Sequence, residues 1–223
     1  GLLILALVSL PGVVTSSLGI LSENLYLLLS LSVLMTYSHI KRKQNTNWGL
    51  YLLLSFFLTF TVLTRTIGIA IFGALFLVTL LDSELAREVK NRLYISIASS
   101  VILWQLWGIF KPQSSDLTYG FSIEYIIGSK AGLTDVLTFL WQSFNVNTMQ
   151  ILSSWCHYLF LTHSIFWFFL FSYIVLIVCL TGLGLRLLQL KLDSLYIVFY
   201  LIILLFWPHP GEMTRFLHPI MFL

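Results

Sequence analysis

The sequence predicts an all-α fold, a polytopic transmembrane helix bundle with about six full spans, partial spans at both ends and one long outer loop with an amphipathic helix. Three observations carry this prediction. Apolar residues make up 58% of the 223-residue chain and charged residues 9%, whereas soluble globular domains average about 25% charged residues. Several apolar runs reach the ~20 residues that cross a ~30 Å hydrocarbon core. Backbone in lipid must satisfy its own hydrogen bonds, and the alternating strands of an outer-membrane barrel are missing, so these runs are read as helices.

The crossings fall in order at Glu23–Ile40, Asn47–Thr64, Thr66–Leu81, Leu93–Phe110, Cys156–Leu185 and Ser194–Trp207. The second and third merge into one apolar stretch, Asn47–Leu81, interrupted by Arg65. One continuous helix there would run about 52 Å, far beyond the hydrocarbon core. It would also hold an arginine near the bilayer centre, at roughly 2.5–3.5 kcal/mol. A turn around Thr64-Arg65-Thr66-Ile67-Gly68 removes both difficulties and puts Arg65 at a membrane face.

Basic residues set the orientation. With Lys41-Arg42-Lys43 in the cytoplasm, Arg87, Lys90, Arg92, Arg186 and Lys191 also fall inside, and only Arg65, Lys111, Lys130 and Arg215 fall outside. This asymmetry follows the positive-inside rule. Trp104, Trp107, Trp155 and Trp207 lie near outer ends and Trp48 near an inner one, as in an aromatic belt. The outer loop spans residues 111–154, where Leu133, Val136, Leu137, Leu140, Trp141 and Phe144 recur with helical spacing. That helix is expected to lie on the outer surface or to roof a cavity, although it lacks the basic polar face common in interfacial helices.

Residues 1–223 are read as a single transmembrane domain. The run Gly1–Leu10 is too short to cross a bilayer, and Phe216–Leu223 resembles the opening of another span. Both edges suggest an internal piece of a longer protein. The net charge of +3 resides in short loops between spans and is no nucleic-acid signal. Cys156 and Cys179 suggest no disulfide framework. P-loop, dinucleotide, serine-elbow and zinc-protease motifs are missing, and no metal-ligand spacing is visible.

Chemistry is expected where ionisable residues gather at outer helix ends. Glu23 opens the first span, Arg65 lies in the turn, and Arg215 follows Pro208-His209-Pro210. A carboxylate facing two guanidiniums suits an anionic headgroup, because the planar arginine fork matches phosphate oxygens. Plainer readings stand beside this one. Glu23 and Arg65 can pair with each other, Arg65 can snorkel to water, and Arg215 can pair with Glu212 three residues away. His209 and His218 flank Arg215 and are candidates for the same cavity. His157 and His163 are ordinary residues of an aromatic-rich helix end, and Asp116, Glu124 and Asp135 are solvated loop charges.

The order of motifs resembles the GT-C glycosyltransferases, in particular the group of protein O-mannosyltransferases and the lipid A aminoarabinose transferase. It rests on Ser22-Glu23-Asn24-Leu25-Tyr26, a basic cytoplasmic turn, Leu63-Thr64-Arg65-Thr66-Ile67-Gly68-Ile69, a long outer loop and Thr214-Arg215-Phe216-Leu217-His218-Pro219. Thr66 stands where the family often has proline, and the hallmark acidic residue of the first outer loop has no counterpart after Gly1. The resemblance implies sugar transfer from a polyprenyl-phosphate donor to a glycan, lipid or protein acceptor on the outer face. The setting it implies is a bacterial inner or plasma membrane. Arg65 and Arg215 would hold the donor phosphate and Glu23 would orient donor, acceptor or a divalent metal. The general base is expected upstream of Gly1. An O-antigen ligase or polymerase would use the same donor class and is the nearest rival. A secondary transporter would place binding groups near the midplane and show internal repeats, and neither is visible. A purely structural membrane subunit gives no reason for a long outer loop beside three charged ends.

Overall fold

The computed structural model describes residues 21–44, 46–110, 132–160, 166–207 and Leu217. Among the described residues the chain is helical without strands. The helices are α1 (Leu21–Lys43), α2 (Trp48–Thr64), α3 (Ile69–Leu81), α4 (Arg87–Phe110), α5 (Leu133–Phe160), α6 (Phe166–Leu188) and α7 (Leu192–Leu205). A 3-10 turn, Thr66–Gly68, joins α2 to α3.

Local chemistry explains the ends. α1 carries Glu23 in its first turn and Lys41, Arg42 and Lys43 in its last, charges that oppose the helix dipole at each terminus. Asn47 caps α2 by accepting a hydrogen bond from the Gly49 amide at 2.9 Å. Thr59, Thr61 and Thr64 donate their hydroxyls to carbonyls one turn back, which lets hydroxyls sit in an apolar helix without unmet bonds.

The core lies among α1, α2, α3, α4 and α7. Val33 and Ile40 of α1, Leu54 and Leu58 of α2, Ile71 and Leu75 of α3, Leu93 of α4 and Leu204 of α7 are all buried there. Small residues bring the helices close. Ser55 of α2 hydrogen-bonds Ser99 at 2.8 Å and Ser100 at 3.0 Å on α4. Gly73 of α3 faces the Phe199 ring of α7, where a Cβ would lie 3.3 Å from ring carbons.

Among the described residues two helices are long and apolar enough to cross a membrane, Arg87–Phe110 and the Leu170–Leu188 stretch of α6. Their apolar windows are only 22% and 6% buried. Ile109 and Phe110 of α4 and Ile177, Val178 and Leu188 of α6 stand exposed. α2, the turn with α3, and α7 are shorter apolar helices.

The first four segments expected to cross and the last coincide in position with helices α1 to α4 and α7 within about six residues, and of these five α4 alone is long and apolar enough to cross a membrane. Two expectations are corrected. The helix expected over Leu133–Phe144 continues to Phe160, 28 residues and about 42 Å, so it runs well past the amphipathic stretch that marked it in the sequence. The crossing drawn at Cys156–Leu185 is therefore divided, its first turn belonging to α5 and its remainder to α6, which begins at Phe166. The cause is that the helical stripe persists after Phe144 through Asn147, Ile151, Ser154 and Trp155, with polar members that mimic a loop. Asn147 and Ser154 are buried and Ile151 packs against the core. The partial spans at Gly1–Leu10 and Phe216–Leu223, apart from Leu217, and the loop residues 111–131 lie outside the described residues.

Candidate functional site

α2 stops at Thr64 because Arg65 leaves the helical region for an extended conformation, φ −150° and ψ 130°. Its amide still donates to the Thr61 carbonyl at 3.2 Å, and its own carbonyl accepts from Gly68 at 2.9 Å. The reversal is tight. A Cβ at Gly68 would lie 2.9 Å from the Thr61 carbonyl oxygen, so only glycine lets the 3-10 turn press against the end of α2.

This turn carries the Arg65 side chain to the first turn of α1. Its Nη1 lies 2.9 Å from Oε1 of Glu23, and the two side chains are 11% and 3% exposed. A charge pair so withdrawn from water is held by mutual attraction, since either member alone would bear a large desolvation cost. Glu23 also sits where the α1 dipole favours a carboxylate.

Below the pair runs a buried polar column. Glu23, Tyr26 and Ser30 follow one another at i, i+3 and i+7 along the inner face of α1, and all three are buried. The Tyr26 hydroxyl shares a 2.7 Å hydrogen bond with the Tyr196 hydroxyl of α7. The Tyr200 ring lies 5.7 Å from that of Tyr196 in an edge-on arrangement and 6.3 Å from that of Tyr26. The column fixes the first turn of α1 against α7 as well as α2.

α5 bears on the same end of the bundle. The Asn147 amide group donates to the carbonyls of Leu204, Leu205 and Trp207 at 3.1, 3.0 and 2.7 Å, satisfying the open C-terminus of α7. Trp155 of α5 donates its indole N–H to the Ser172 carbonyl of α6 at 3.2 Å. Asn147 therefore anchors the point from which the chain leaves α7 toward His209 and Arg215.

Of the residues singled out from sequence, Glu23 and Arg65 are brought together. Arg215, His209 and His218 lie outside the described residues, although Leu217 between them is buried in the core. Tyr26, Tyr196 and Asn147 were missed. The i, i+3, i+7 register of Glu23, Tyr26 and Ser30 was a visible signal, whereas nothing in sequence paired Asn147 with α7. Among the described residues no group of three His, Cys, Asp or Glu side chains could hold a metal ion, so the divalent metal that the resemblance admits finds no ligand set there.

Fold and site together define, among the described residues, an all-helical bundle with two helices long and apolar enough to cross a membrane and an ion pair, largely withdrawn from water, joining the ends of α1 and α2. No family model, curated protein or solved structure matches the chain.

Proposed function

We propose that this chain forms part of a multi-pass membrane glycosyltransferase, GT-C-like, that transfers a sugar from a polyprenyl-phosphate-linked donor to an acceptor on the outer face of a bacterial inner or plasma membrane. The observation that carries the reading is the Arg65 guanidinium, its side chain 11% exposed and braced by Glu23 at the end of the bundle where α1 begins. Ionisable groups in such surroundings are costly and are retained chiefly where they act. The mostly exposed apolar windows of α4 and α6 support lipid contact, since a soluble core helix of that composition would be buried.

In the reaction the bond between the sugar anomeric carbon and the phosphate oxygen breaks, its electron pair passing to the lipid phosphate. The acceptor hydroxyl oxygen bonds to that carbon and gives its proton to an acidic general base of the kind the resemblance implies. Arg65 and Arg215 oppose the charge developing on the departing phosphate, as fixed cations do in a site without water. Glu23 holds the Arg65 fork in position. Through Asn147, α5 anchors the end of α7, from which the chain continues toward Arg215.

The test is transfer from a labelled polyprenyl-phosphate sugar by the purified protein. Arg65→Ala and Arg215→Ala should each lower the rate on the order of 10²–10³-fold, with Arg65→Lys keeping part of it. Wild-type rates in both alanine variants, with the protein still monodisperse, would remove the assignment.

A further inference from the structure

At the end of the bundle opposite Glu23 and Arg65, a groove of about 700 Å³ opens between the C-terminal half of α1 and the turn joining α6 to α7. The transfer reaction makes no use of it. The α1 wall is one helical stripe whose character changes with depth. Leu31 and Met35 form its apolar part, Met35 being 73% exposed, and Arg42 stands about 16 Å farther along the helix from Leu31. The facing wall carries Leu190 and Leu192 beside Lys191 and Asp193.

The charge is one-sided. Lys41, Arg42, Arg186 and Lys191 line the groove against a single carboxylate, Asp193. Lys41 is tied to Asp82 at 2.5 Å and Arg186 to Asp193. Arg42 and Lys191 are exposed and carry no ion pair among the described residues. Leu190 lines the groove where α6 ends. Its φ is 50° because it closes that helix, its amide donating to the Leu187 carbonyl at 2.9 Å and the Lys191 amide to the Arg186 carbonyl at 3.2 Å. It presents an apolar side chain to the groove at a position where glycine would relax the turn.

We propose that this groove binds a phospholipid with an anionic headgroup, its phosphate held by Arg42 and Lys191 and one acyl chain lying along Leu31, Met35 and Leu190. The gradient from apolar to cationic matches an amphiphile inserted tail first. Basic residues at a membrane surface favour anionic lipids by about five-fold for each charge. The site lies on the face that the positive-inside rule assigns to the cytoplasm, where such lipids are common.

Native mass spectrometry of the intact protein in neutral detergent tests this with phosphatidylglycerol, phosphatidylcholine and glycerol 1-phosphate as probes. Phosphatidylglycerol should bind more tightly than phosphatidylcholine. Arg42→Gln combined with Lys191→Gln should weaken phosphatidylglycerol about 30-fold, to the phosphatidylcholine level. Leu190→Gly should lower affinity several-fold while leaving the melting temperature unchanged or raised, which a merely structural leucine would not do. Equal binding of the two lipids, or unchanged phosphatidylglycerol affinity in the double variant, overturns the proposal. Competition by glycerol 1-phosphate at the same concentration as the lipid overturns the lipid source and makes the groove a site for soluble phosphorylated compounds.

Discussion

Removing the Arg65 guanidinium strands the Glu23 carboxylate in a site where its side chain is 3% exposed. With charge centres about 4 Å apart and an effective dielectric near 20, the lost attraction is about 4 kcal/mol. Mutational experience with buried pairs gives a similar figure, about 3–5 kcal/mol when one partner is deleted, because the other is left uncompensated. Arg65→Met and Glu23→Leu are each expected to lose that amount. The double variant Glu23→Leu/Arg65→Met should recover most of it, since an apolar pair of comparable volume is often neutral in place of buried charges. For a chain of this size the single losses correspond to roughly 6–20 °C in melting temperature. The assay is a melt of all four proteins in one detergent, read as a double-mutant cycle, with sugar transfer measured on the same samples. The double variant should be stable and inactive, separating the structural part of the pair from its chemical part. Single losses below about 1 kcal/mol would show the pair to be solvated and refute the reasoning from burial. A double variant with full transfer would confine the pair to a structural role.

Two further outcomes are expected. Gly68→Ala places a Cβ 2.9 Å from the Thr61 carbonyl oxygen, so it should cost about 1–3 kcal/mol as overpacking. It should also lower transfer by shifting Arg65, both read against Gly73→Ala, whose nearest neighbour is a ring able to move. Tyr26→Phe leaves the Tyr196 hydroxyl without its 2.7 Å bond to α1. The expected loss is about 1–3 kcal/mol, largely regained in Tyr26→Phe/Tyr196→Phe, and denaturant titration of the three variants checks it.

Much of the secondary structure was legible because its causes are local. Asn47 before an apolar run marks the start of α2 by cap chemistry alone. The break near Arg65 followed from the length of Asn47–Leu81 and the cost of an arginine in hydrocarbon, and the extended Arg65 backbone lies there. α5 was misread for a reason equally physical. Its buried face uses Asn147 and Ser154, so counting apolar residues ended the helix early, whereas the helical period alone would have carried it on.

The sequence by itself determined an all-helical chain with apolar helices, charged ends and a glycine-bearing turn beside Arg65, since composition, period and capping act over a few residues. Only tertiary structure decided which distant groups meet. Glu23 takes Arg65 rather than water, Tyr26 takes Tyr196 across 170 residues of chain, and Asn147 takes the end of α7. Each choice depends on how whole helices pack, and alternatives differ by only a few kcal/mol once desolvation offsets attraction. The basic groove beside α1 arises in the same way. Arg42 and Lys191 come together because α1 and the α6–α7 turn pack side by side, an arrangement no short stretch of sequence encodes.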